Sequence, residues 1–90
     1  MIYYRPGFAR RYKKLTEFQQ SRVDSAIARF EQQVGRPHEH AGISIRAFGR
    51  YLEFRAGLEL RILALPESGD FFLVCVGSHD AVRAYVRQNP

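Results

Sequence analysis

The sequence has one cysteine, Cys75, no tryptophan, and only two lysines, Lys13 and Lys14, among fourteen basic residues. A single thiol excludes an internal disulfide and a cysteine-rich zinc cluster. No apolar run approaches the roughly 20 residues that span a bilayer, and the opening MIYYRPGF is not laid out as a secretory signal. A cytoplasmic protein with no membrane partner is therefore expected. Repeats, linkers and low-complexity stretches are also missing, so residues 1–90 read as one domain.

What is present is a core and a charge. Hydrophobic residues make up 46% of the chain, with seven Phe and five Tyr, enough for a self-sufficient core at the small end of domain sizes. The net charge is +5, and twelve of the fourteen basic residues are Arg. Guanidinium grips phosphate with two parallel hydrogen bonds and stays charged at any working pH. Such a surface suits nucleic acid or an acidic protein partner.

Residues 2–5, IYYR, have strand composition, and Pro6-Gly7 ends them. Phe8, Tyr12 and Leu15 mark one face of a short helix whose other face is Arg10, Arg11, Lys13 and Lys14. Thr16 with Gln19 reads as a capping box. Phe18, Val23, Ala26, Ile27, Phe30 and Val34 then form the stripe of a longer helix, closed by Gly35 and Pro37. After RPHEHAG the period falls from 3.6 to 2. Hairpins are expected at Gly49 and Gly57, and PESGD turns the chain into FFLVCV, an apolar run expected to be the central strand. From Asp80, Ala81, Val82, Tyr85 and Val86 recur at helical spacing, with Asp80 or Ser78 as the cap.

The order is β-α-α-β-β-β-β-α, or one strand fewer if the first hairpin is short. This is an α+β domain with a small, twisted, mainly antiparallel sheet. Two N-terminal helices cover one face, and a short C-terminal helix leaves part of the other open. Arg46, Tyr51, Glu53 and Arg55, the polar members of the alternating strands, are expected to line that open face.

Taken in order, F…YKKL, the long helix, GISIRAF, LEFRAGLELRILAL and VGSHDAV resemble the RelE/ParE superfamily of bacterial type II toxins. The likeness runs from about Phe8 to Tyr85 and is greatest to the branch of cytotoxic translational repressors. It implies a RelE/ParE-like fold and a toxin neutralised by a cognate antitoxin in a hetero-oligomer. It also implies a metal-independent endoribonuclease that needs no cofactor and cuts mRNA, with the ribosome as partner. Two other outcomes stay open: a ParE-like protein that poisons gyrase, and an inactive relative that only binds antitoxin or RNA.

Metal-free RNA cleavage needs a base for the 2′-hydroxyl, an acid for the leaving 5′-oxygen, and cations for the phosphate. His79 follows the last strand, and histidine is the usual side chain for such proton transfer; the resemblance makes it catalytic, while a loop histidine is the plain alternative. Arg61 sits inside an apolar strand and must reach a phosphate, a carboxylate or water. The resemblance gives it the scissile phosphate; an ion pair with Glu53 or Glu59 is the alternative. Tyr85 matches a tyrosine that stacks on a base or orients the 2′-hydroxyl, and would look the same as a core aromatic. Where RelE-type nucleases carry two lysines, this chain has Tyr51 and Glu53. Glu53 is then a candidate base, kept ionised by Arg55 or Arg61. Arg46, Arg55 and Tyr51 are candidate RNA contacts, and Lys13 and Lys14 form either a solvated face or an anchor on ribosomal RNA. His38 and His40 lack a third ligand and read as loop residues, and Cys75 as a small buried hydrophobe.

Overall fold

A computed structural model describes residues 1–35 and 43–90. His38 and His40 lie outside the described residues. The elements are β1 (Ile2–Tyr4), α1 (Pro6–Lys13), α2 (Glu17–Gly35), β2 (Ile45–Phe48), β3 (Tyr51–Ala56), β4 (Leu60–Glu67), β5 (Asp70–Gly77) and α3 (His79–Gln88). They form an α+β domain with three helices and a five-stranded mixed sheet of order β1-β5-β4-β3-β2. Strands β2 to β5 make an antiparallel meander, and β1 joins β5 in parallel.

Local chemistry explains most boundaries. Thr16 and Gln19 do form the capping box: Gln19 N–H donates to Thr16 Oγ1 at 3.1 Å, and Thr16 N–H to Gln19 Oε1 at 2.9 Å. Ser68 and Gly69 form the two-residue turn between β4 and β5 with φ of 53° and 84°, the left-handed pair that matches strand twist. The cap of α3 is Ser78, whose Oγ accepts from Ala81 N–H at 3.1 Å, while Asp80 lies in the first turn and complements the helix dipole. Ser78→Ala should therefore cost about 1 kcal/mol. An unchanged urea midpoint would show that tertiary packing alone holds this helix end.

The core has two layers. On one face, α1 and α2 bury Phe8, Val23 and Phe30 against Phe54, Ile62 and Leu73. Phe30 stacks on Phe54 at 4.4 Å between ring centroids. On the other, α3 brings Val82 onto Tyr51, Leu63 and Cys75. The pairing of β4 with β5 shifts between Leu63 and Ala64 and leaves out Val74, so Val74 and Cys75 both belong to the α3 side.

Three expectations need correction. FFLVCV lies in β5, second in the sheet, and the middle strand is β4; β5 is apolar on both sides because helices cover both. The face expected to be open is open only in part: Arg46 and Arg55 are exposed, whereas Tyr51 packs in the α3 cluster and Glu53 is buried beside Arg46 and Arg61. Tyr51 is 2% exposed there, with its hydroxyl donating to Asn89 O at 2.6 Å, and Glu53 is 1% exposed. Phe18 is not in the core stripe but 68% exposed. At 3.6 residues per turn it points about 120° away from Phe30.

Candidate functional site

The site starts from the sheet register. Arg46 on β2 stands opposite Glu53 on β3, and Arg55 opposite Arg61 on β4, which in turn pairs with Gly77 of β5. Alternation puts Arg46, Glu53, Arg55 and Arg61 on the α3 side, at the end of the sheet where β5 runs into α3. Strand β3 also continues two residues beyond its last pairing with β2, Ile45 with Phe54.

A carboxylate with 1% exposure needs compensation, because taking a charge out of water costs several kcal/mol. Glu53 Oε1 accepts from Arg61 Nη1 at 3.0 Å and from Arg46 Nε at 3.2 Å. The two cations differ: Arg61 is held inside, with 14% of its side chain exposed, and Arg46 lies over the top at 65%. The other oxygen, Oε2, is buried and has no hydrogen-bond partner among the described residues. Of the partners foreseen for Arg61, Glu53 is the one it meets.

Around this pair opens a cleft of about 520 Å³, lined by five arginines, Arg22, Arg29, Arg46, Arg55 and Arg61, with Glu53. Arg22 and Arg29 were missed in the sequence. They lie seven residues apart on α2, hence on one helix face, but periodicity cannot say that this face overlooks the edge of β3. The cleft's volume falls within the roughly 300–1,000 Å³ of ordinary ligand sites, and its chemistry selects anions.

His79 opens α3 close to the Arg61–Gly77 pair in the chain, and is half-buried. Its Nε2 lies 3.4 Å from Arg83 Nη1, and its Nδ1 is buried without a partner among the described residues. If Nε2 accepts from Arg83, the ring proton sits on Nδ1, a donor with no acceptor yet. The hydrogen-bond contact is thus to Arg83, not to Glu53 or Arg61. Tyr85 is in the second core cluster, edge-on to Tyr51 at 5.9 Å with the Arg11 guanidinium 5.8 Å from its ring. Burial first, then Tyr51 and Cys75, push its phenol upward. At neutral pH it can donate a proton but cannot remove one. Cys75 is buried, and burial raises its thiol too, so it stays a neutral hydrophobe. Lys13 and Lys14 are exposed at the end of α1 and do not line the cleft.

Among the described residues, no helix is long and apolar enough to cross a membrane, and no group of three or more His, Cys, Asp or Glu could hold a metal ion. Fold and site together define a small α+β domain with an arginine-lined cleft built around one buried glutamate. No protein-family model, curated protein or solved structure matches the chain.

Proposed function

We propose that this chain is an RNA-cleaving toxin of the RelE type: a metal-independent endoribonuclease acting on mRNA at the ribosome, in the cytoplasm, restrained by a cognate antitoxin. The observation that carries this reading is the grouping of five guanidiniums around one buried carboxylate that keeps an oxygen free. Arg61, Arg55 and Arg46 bind the reacting phosphate and offset the charge that builds on it. With the exposed Arg46 side chain drawn aside by the incoming phosphate, the Glu53 carboxylate takes the proton of the 2′-hydroxyl as its oxygen attacks phosphorus. The resemblance gives His79, which stands outside the residues lining the cleft, the role of acid: it protonates the departing 5′-oxygen, and the products are a 2′,3′-cyclic phosphate and a 5′-hydroxyl end. In this scheme Tyr51 and Tyr85 support α3 and do not touch RNA.

The test is primer extension on mRNA from cells briefly expressing the protein, beside a His79→Ala control. Discrete cuts inside translated codons, lost in the control, are expected. Intact RNA with accumulating DNA damage would instead point to a ParE-like gyrase poison. Intact RNA in healthy cells would leave a relative that only binds antitoxin or RNA.

A further inference from the structure

Phe18, Arg22 and Arg29 have no part in that chemistry, yet their arrangement is specific. Phe18 is large, apolar and exposed in the first turn of α2. The Arg22 guanidinium lies over its ring, 4.9 Å from the centroid. The same side chain passes 3.5 Å from the point where Gly57, at φ +80°, would carry a Cβ. Arg22 is therefore seated between a ring and a hairpin turn in van der Waals reach, where the left-handed backbone favours glycine. Arg29 follows two turns on along the same helix face, with Arg55 also lining the cleft. Among the described residues, Glu53 pairs with Arg46 and Arg61, whereas Arg22, Arg29 and Arg55 have no acidic partner.

Unpaired like charges around a concave surface repel one another and favour a polyanion. Phe18 says which kind. The carboxylates of an acidic peptide would pair with the guanidiniums and leave the exposed ring unused. Single-stranded RNA alternates phosphates with flat bases, which stack on aromatic and guanidinium faces. The hollow beside Phe18 and the main cleft share Arg22, Ala56 and Gly57, so the path between them is continuous.

We propose that Phe18, Arg22 and Arg29 form a single-stranded RNA track, with phosphates on Arg22, Arg29 and Arg55 and one base stacked on Phe18. The choice of RNA rests on the RNA-cleaving reading. The track adds where the strand runs after the reacting phosphate: across Arg55 onto α2.

The test is fluorescence anisotropy with the full chain and a short, labelled 2′-O-methyl RNA, which has no free 2′-hydroxyl to attack. Phe18→Ala should weaken binding by about 5- to 150-fold, the value of one stacked base. Phe18→Leu keeps bulk without a ring and should weaken it similarly, while Phe18→Tyr should bind like the parent. Arg22→Ala with Arg29→Ala should flatten the slope of log affinity against log salt by about 1.4. All three side chains are exposed, so melting temperatures should stay put. If the parent binds and every variant binds equally well, the track is refuted and the cleavage reading stands. No binding by the parent, with no cuts in cellular mRNA, overturns both. Tighter binding of labelled poly-glutamate than of RNA, indifferent to Phe18, would make the groove an acidic-peptide site and overturn the track.

Discussion

Replacing Glu53 by glutamine is expected to keep the domain folded while lowering RNA cleavage by about 10²–10⁴-fold, the usual worth of one placed base. Glutamine has the same size, and its carbonyl oxygen can still accept from Arg61 Nη1, now 3.0 Å from Oε1. What it loses is the free carboxylate oxygen, Oε2, which has no other partner among the described residues. The measurement is single-turnover cleavage, beside a thermal melt to show that the variant is folded. A folded variant that cleaves like the parent would reduce Glu53 to a clamp for Arg61 and leave the proton work to His79.

The largest stability effect belongs to the same pair. Arg61→Ala removes the inner cation from a carboxylate that is 1% exposed and leaves it with Arg46, whose side chain is 65% in water. Breaking a buried pair on one side costs about 3–5 kcal/mol, a large part of what a small domain has. For a chain of this size that is a fall of roughly 12–40 °C in melting temperature. Exchanging both partners for apolar residues of similar volume, Glu53→Leu with Arg61→Met, should recover most of the loss, since such exchanges are often neutral or better. The double-mutant cycle would then show a strong coupling between the two positions. An Arg61→Ala protein as stable as the parent would mean that Glu53 is solvated or protonated when alone, and the buried-pair account would fail.

These two experiments separate what the pair does for the fold from what it does for chemistry. Arg61→Ala damages both, because it removes a phosphate ligand and a counter-ion together. Glu53→Gln is the cleaner probe of the reaction. Neither substitution touches the α2 part of the proposed track, since Phe18, Arg22 and Arg29 make no contact with the Glu53 carboxylate among the hydrogen bonds and ion pairs of the described residues.

The element order was legible because its signals are local. The capping box at Thr16 and Gln19, the glycines at the hairpins and the change of period after residue 42 each act within a few residues along the chain. Arg61 could be singled out because a guanidinium inside an apolar strand demands a partner, although sequence could not choose among phosphate, Glu53 and Glu59. Tyr51 and Tyr85 were ambiguous for the opposite reason: an aromatic at helical or strand spacing suits a core and an RNA platform equally. Their meeting under α3 put both in the core.

By itself, then, the sequence determined the α+β composition, the helix and strand boundaries to within a few residues, and a surplus of arginine that calls for an anionic partner. Only the tertiary structure decided that α3 lies over Tyr51, that Glu53 is buried between Arg61 and Arg46, and that Arg22 and Arg29 look across at Arg55. Propensity, capping and turn chemistry act over a few residues and can be read along the chain. A cleft is made by side chains more than thirty positions apart, and their juxtaposition depends on how a helix settles against a sheet edge, which no single segment encodes.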